Sequence, residues 1–208
     1  MIEISWPYTS LDTKEGFLRI KQWVFKQFPG LFSEVWITAF FIHALGSIFV
    51  LFAGFTQFFR RFLWTKVHRS MGAIYIVVVL FISAPTGFIM GLVANAGIIS
   101  VISFSLLSVL WWYFTFKAYR AIREKNYEKH ARFMYRSFAL TLSALTLRLW
   151  KWLIVNYIYE MRPMDVYRLA GILGWTLNLL VAEILIFKGR HLKMLRPDKK
   201  LRKTKNVD

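Results

Sequence analysis

The chain has 208 residues, 57% of them hydrophobic and 18% aromatic, and a formal net charge of +17. A soluble domain of this size cannot hide so much apolar side chain, so the composition favours a membrane protein. The basic residues fall mainly beside apolar segments and in the tail, which argues against nucleic acid as a partner, and the lack of cysteine excludes disulfides, iron-sulfur ligation and thiolate catalysis.

Residues 1–32 are predicted to form an N-terminal interfacial segment. Within it, residues 13–28 place four apolar side chains on one helical face: Phe17, Ile20, Val24 and Phe28. The lysines of this stretch lie largely away from that face, and Pro29-Gly30 ends the pattern. We therefore expect an amphipathic helix on the membrane surface, with a connector as its simplest role.

Five apolar segments follow, and they define a transmembrane helical domain over residues 33–187. Segments of about 22 residues, at about 1.5 Å rise per residue, reach about 33 Å and cross a hydrocarbon core of about 30 Å. The predicted fold is all-α, an integral membrane bundle of about five transmembrane helices. Their expected bounds are 33–58, 70–93, 97–118, 133–158 and 167–187, with a tight hairpin turn at Asn95-Ala96-Gly97.

The distribution of Lys and Arg predicts the orientation of the chain. Basic residues cluster after the first span, between Lys117 and Arg136, and in residues 188–208, whereas the opposite side receives few. By the positive-inside rule, the N-terminus lies outside and the C-terminus inside. Residues 188–208 are then a basic cytoplasmic tail that meets anionic lipid headgroups, and His191 within it is expected to be solvated.

Polar residues inside the spans predict a mid-membrane cluster, because such residues are costly to insert and often carry function. Counting at about 1.5 Å per residue places His43, Arg148 and Asn178 about 15–20 Å from the outer ends of their spans. The predicted cluster contains His43, Ser83, Thr86, Arg148 and Asn178. Helix packing alone would explain Ser83, Thr86 and Asn178, whereas Arg148 indicates a water-filled cavity or an anionic ligand.

A second polar layer is predicted at the cytoplasmic boundary, where His68 opens span two and His130 precedes span four. Two histidines at matching depth could bind the iron of one b-type haem, with Gly72 leaving space for a flat ligand, or they could contact lipid headgroups. A quinone would suit the aromatic-rich interior. The candidate cofactor-binding residues are His68, His130, Arg69, Tyr75, Arg136 and Glu183. The sequence predicts no metal site beyond haem iron, and no residue is assigned a catalytic role.

Two runs resemble a bacterial family of predicted multi-spanning membrane proteins, a domain of unknown function. They are His68-Arg69-Ser70-Met71-Gly72-Ala73-Ile74-Tyr75 and His130-Ala131-Arg132-Phe133-Met134-Tyr135-Arg136-Ser137-Phe138-Ala139-Leu140. The resemblance covers about residues 35–190 and implies no established activity. The layout is loosely similar to small membrane cytochromes b, but no helix here carries two histidines one leaflet apart, which disfavours two haems.

The leading hypothesis is a multi-pass bacterial inner-membrane protein that acts as a redox or quinone-linked subunit of a larger complex. It would hold at most one b-type haem, through His68 and His130. One alternative is a small-solute or proton transporter centred on His43, Arg148 and Asn178. The other is a non-catalytic scaffold whose polar residues only join helices. Whether the protein is an enzyme is left open.

Overall fold

The computed structural model describes residues 30–59, 65–158 and 161–195, and these segments are helical throughout apart from short turns. The predicted interfacial helix over residues 13–28 and most of the basic tail lie outside the described residues. The described helices are α1 (Leu31–Phe58), α2 (Lys66–Val78), a π-helical segment (Val79–Ser83), α3 (Ala84–Gly91), α4 (Ile98–Arg123), α5 (Tyr127–Thr141), α6 (Ser143–Tyr157), α7 (Pro163–Phe187) and α8 (Arg190–Leu195).

Four helices are long and apolar enough to cross a membrane. The first is α1, the second is the continuous helix formed by α2, the π-helical segment and α3, and the others are α4 and α7. The bent pair α5 and α6 adds a fifth span if it is counted as one. These spans contain 25 to 27 residues, more than the roughly 20 that a bilayer core requires. The predicted all-helical membrane bundle is therefore confirmed, while the orientation of the termini stays a prediction.

Span four differs from its expected continuous form over residues 133–158. Its first half begins earlier, at Tyr127, because the side chain of Asn126 caps the helix by accepting from the Lys129 backbone N–H at 2.9 Å. The two halves meet at an angle of 42°. The hydroxyl of Ser143 donates to the Leu140 carbonyl at 2.6 Å, beside the bend. Side-chain hydroxyls that bond to the carbonyl three or four residues earlier commonly bend helices.

The surface and the interior are arranged as expected for a protein in lipid. Large apolar side chains lie on the outside, among them Phe49, Phe52, Phe81 and Phe187. Small residues let the helices approach closely: a methyl group on Gly54 would lie 2.5 Å from the Phe138 ring. Buried hydroxyls of serine and threonine lie between the helices. Since lipid offers no hydrophobic drive between helices, such close packing and polar contacts hold the bundle together.

The predicted hairpin between spans two and three is confirmed. Ala96 and Gly97 both have positive φ, 68° and 87°, which lets the chain reverse between α3 and α4. The guanidinium of Arg168, in α7, donates two hydrogen bonds to the Ala96 carbonyl, at 2.9 and 3.2 Å. This contact fixes the start of the last span against the turn.

Candidate functional site

His68 lies in the first turn of α2, where the last turn of α1 holds its ring. The Thr65 side chain caps the helix by accepting from the His68 backbone N–H at 3.3 Å. In one orientation of the Gln57 amide, both its nitrogen and its oxygen have partners. The nitrogen donates to His68 Nδ1 at 3.0 Å, and the oxygen accepts from the Gly72 N–H at 3.2 Å. An imidazole that accepts at Nδ1 carries its proton on Nε2 when neutral. His68 therefore presents an Nε2–H donor.

His130 lies in the first turns of α5, and the end of α4 holds its ring. Its Nδ1 lies 2.9 Å from the Ala118 carbonyl oxygen. A carbonyl only accepts, so Nδ1 carries the proton and Nε2 of the neutral ring has a free lone pair. A backbone carbonyl that holds one ring nitrogen in this way fixes the tautomer and the ring direction, as it does for histidines that bind metals.

The two imidazoles form a complementary pair, here named the two-histidine site (His68 and His130). Among the residues that the structure describes, neither Nε2 has a hydrogen-bond partner. One ring offers an N–H donor and the other a lone pair, so together they can bind a ligand that both accepts and donates.

The Gln57 side chain fills the space beside Gly72 in which a flat ligand was expected. A methyl group on Gly72 would lie 2.9 Å from the end of the Gln57 side-chain amide. Gln57 is buried, and its amide bonds both to His68 and to the Gly72 backbone. The wall beside Gly72 is thus already filled, which differs from the expectation of an open slot.

Of the other predicted cofactor-binding residues, Arg136 and Glu183 pair with each other, and Arg69 lies at the surface. Arg136 donates to both carboxylate oxygens of Glu183, at 2.5 and 2.9 Å, and stacks over the Phe133 ring at 5.4 Å. This pair joins α5 to α7 near one end of the bundle. Arg69 is exposed, and its side chain bonds to no other described residue. The structure does not bring these three into hydrogen bonds with the histidines.

Tyr75 belongs to a buried network that sequence reasoning missed. Its hydroxyl lies 2.8 Å from the Ser137 hydroxyl and 2.6 Å from the Thr141 hydroxyl. Thr115 bonds to Ser137 at 2.7 Å, and the Trp111 indole N–H donates to Thr141 at 3.1 Å. Tyr75 has no exposed surface. The signal was present as pairs four residues apart, Ser137 with Thr141 and Trp111 with Thr115, which places each pair on one helical face.

The predicted mid-membrane cluster divides into two groups. His43 Nδ1 lies 2.9 Å from the Ser83 carbonyl and 3.3 Å from the Thr86 hydroxyl, which joins α1 to span two. Asn178 instead donates to the Ala139 carbonyl at 3.1 Å and to the Thr146 hydroxyl at 2.9 Å, which joins α7 to the bend of span four.

Arg148 lies on α6 and donates to the Ala144 carbonyl of its own helix. The sequence placed it with His43 and Asn178 in one cluster. The His43 group and Asn178 have different partners, so the structure does not join these residues by hydrogen bonds into the single cluster that was expected.

The π-helical segment explains why backbone carbonyls of span two bond to side chains of neighbouring helices. The Ala84 N–H bonds to the Val79 carbonyl, five residues earlier. In the same register the Leu80 carbonyl would pair with Pro85, which has no N–H. The indole N–H of Trp112 donates to that carbonyl at 3.2 Å. Side chains of the neighbouring helices thus satisfy carbonyls that the π-turn and the proline release.

His191 is the clearest error of the sequence interpretation. It was expected to be solvated, but only 4% of its surface is exposed, because α8 packs against α5 and α7. Its Nε2 lies 3.9 Å from a carboxylate oxygen of Glu128, and neither ring nitrogen has a hydrogen-bond partner among the described residues. Counting residues of the basic tail could not reveal a fold-back after the Gly189 turn.

Comparison with known proteins agrees with the membrane bundle and adds no activity. No curated protein and no solved structure matches the chain. A family model described as predicted membrane protein (DUF2306) matches residues 40–186, which include all five spans in whole or in large part and both histidines of the site. The chain therefore belongs to this family of predicted membrane proteins of unknown function.

Proposed function

We propose that this multi-pass membrane protein is a redox-linked subunit that binds the head group of a quinone at the two-histidine site. The observation that carries the proposal is the state of the two rings. Each Nδ1 is held by the protein, and each Nε2 is without a partner among the described residues. Both histidines are half-buried, so these ring nitrogens are held in direction by the protein and open to a ligand.

A quinone and its quinol match the donor and acceptor of the pair. The Nε2–H of His68 would donate to a quinone carbonyl oxygen. The Nε2 lone pair of His130 would accept the proton of a quinol hydroxyl, which makes this histidine the proton acceptor. The position of both residues in the first turns of their helices, near the end of the bundle, suits a lipid-soluble ligand that enters from the bilayer.

A b-type haem is the second candidate, because the ligand chemistry of the site also suits it. Two imidazoles held at Nδ1 are the donor set of bis-histidine haem, which supplies one-electron chemistry when bound. The space does not fit, since the Gln57 side chain fills the wall beside Gly72. A porphyrin there would have to displace the amide from its bonds with His68 and Gly72.

The two remaining alternatives have less support. A transporter centred on His43, Arg148 and Asn178 requires these side chains to share one site, and His43 and Asn178 bond to different helices. A scaffold role explains the saturated contacts of Tyr75 and Asn178, each of which joins helices. It does not explain the two Nε2 atoms. Location in the bacterial inner membrane and assembly into a larger complex belong to the same proposal.

Equilibrium binding of short-chain ubiquinone and menaquinone analogues to the purified protein in lipid nanodiscs tests the proposal. We expect saturable binding, and His68→Leu or His130→Leu should each weaken it about five- to tenfold, because each removes one hydrogen bond. His191→Leu is the matched control, since it removes a histidine outside the site, and it should leave the affinity unchanged.

Two results would contradict quinone binding at this site. The first is an affinity that neither histidine substitution changes, with all variants folded by circular dichroism. The second is an absorption spectrum of the purified protein with haem bands that disappear in His68→Leu and His130→Leu. That spectrum would assign the same nitrogens to haem iron.

A further inference from the structure

A basic cavity opens at the start of α5, beside but apart from the nitrogens of the two-histidine site. It has a volume of about 400 Å³ and is lined by Asn126, Glu128, Lys129, Arg132, Phe133 and Arg136. Three of the lining residues are cations at positions i, i+3 and i+7, so they share one face of the helix. The volume lies in the range of small-ligand sites, about 300–1,000 Å³.

The cations of this cavity exceed the carboxylates available to them. Arg136 uses its hydrogen bonds on Glu183, and Arg132 is close enough to act on the same carboxylate electrostatically. The other carboxylate, Glu128, lines the cavity but is 55% exposed, with a carboxylate oxygen 3.9 Å from His191 Nε2. Within the described part of the chain, the side chains of Lys129 and Arg132 make no hydrogen bond or ion pair. Two cationic groups therefore remain available to an anion.

We propose that this cavity binds the phosphate of an anionic phospholipid headgroup. A guanidinium is a planar fork that matches phosphate oxygens, and an ammonium adds a second positive charge. The Phe133 ring lines the same cavity and offers an apolar wall to the glycerol of the lipid. All the lining residues belong to α5 or its N-cap, and clusters of Lys and Arg on a helix at the membrane surface bind such headgroups. Free inorganic phosphate has the same chemistry, so the experiment must separate the two sources.

The site is specific in position, which distinguishes it from general attraction to a charged bilayer. Arg123, in the last turn of α4, is a neighbouring exposed cation that does not line the cavity. A diffuse surface potential would depend on Arg123 as much as on Arg132. A built site would depend on Lys129 and Arg132 alone. Arg123→Gln is therefore the matched control, with the same change in charge.

The test measures the association of spin-labelled phosphatidylglycerol and phosphatidylcholine with the full chain in phosphatidylcholine vesicles. We expect the wild type to prefer phosphatidylglycerol. Each of Lys129→Gln and Arg132→Gln should reduce this preference about fivefold, and Arg123→Gln should not change it. Inorganic phosphate at millimolar concentration should fail to displace the labelled lipid. Circular dichroism establishes that each variant is folded.

Three outcomes would overturn the proposal. An equal loss in Arg123→Gln would reduce the effect to surface potential. An unchanged preference in the Lys129→Gln, Arg132→Gln double variant would remove the cavity from lipid binding. Displacement by inorganic phosphate would assign the site to a soluble anion. None of these results bears on quinone binding, which is measured with a neutral ligand at other residues.

Discussion

Thr141→Val tests the buried network that joins spans two, three and four. The threonine hydroxyl accepts from the Trp111 indole N–H at 3.1 Å and bonds to the Tyr75 hydroxyl at 2.6 Å. Valine has nearly the same shape but removes both contacts, together with the 3.2 Å bond that the hydroxyl donates to the Ser137 carbonyl of its own helix. Tyr75 keeps its bond to Ser137 at 2.8 Å, whereas the buried indole N–H is left without a partner. The main cost is therefore the unsatisfied donor.

The expected loss is about 1–3 kcal/mol of unfolding free energy, the usual cost of a buried polar group left unpaired. Cross-helix hydrogen bonds in membranes average about 0.6 kcal/mol, which places the result toward the lower part of that range. The measurement is equilibrium unfolding in mixed micelles with increasing sodium dodecyl sulfate, followed by circular dichroism. In a Trp111→Phe background the loss should shrink, because no indole N–H remains to be left unpaired.

Thr176→Val is the matched control for this prediction. Its hydroxyl donates only to the Ile172 carbonyl of its own helix, at 2.8 Å, and it joins no second helix. Its loss should be about 0.5 kcal/mol or less. If Thr141→Val and Thr176→Val destabilise the protein equally, the interhelical network does not hold the spans together, and the reasoning is refuted.

Three further predictions follow from the topology and from the polar contacts. A cysteine at Asn95 should be labelled from outside the cell and one at Lys125 only after permeabilisation, and the reverse pattern would overturn the positive-inside orientation. Glu183→Gln should destabilise the bundle by about 0.5–1 kcal/mol in the same unfolding assay, since its bidentate pair is partly exposed, and a larger loss would mean a desolvated pair. His43→Leu and Asn178→Leu should be additive within about 0.5 kcal/mol, because they contact different helices, and measurable coupling would restore the single cluster.

The number of the spans and their approximate positions could be predicted because they depend on local composition. Long apolar runs and the Asn95-Ala96-Gly97 turn are visible in the sequence, and the structure agrees with both. The bend at Leu142 was not predicted. It depends on hydroxyls that bond back to their own helix, such as that of Ser143, and hydropathy does not register this effect.

The candidate site could be predicted only by residue type and depth. Depth along a span placed His68 and His130 at one level, and they lie in the first turns of α2 and α5. Depth alone also grouped His43 with Asn178, which the structure separates. The missing information was the rotation of each helix about its axis. A shift of one residue turns a side chain by about 100°, so two residues at one depth can face different neighbours.

Photoaffinity labelling with an azido-quinone, in membranes that contain the full chain, tests the two-histidine site most directly. The account predicts that label is incorporated into the first turns of α2 and α5, around His68 and His130, and that excess unlabelled quinone suppresses it. The His191→Leu variant should be labelled like the wild type, and the His68→Leu, His130→Leu double variant should lose most of the label. Label confined to other helices, or unchanged by the double substitution, would contradict a quinone bound between these imidazoles.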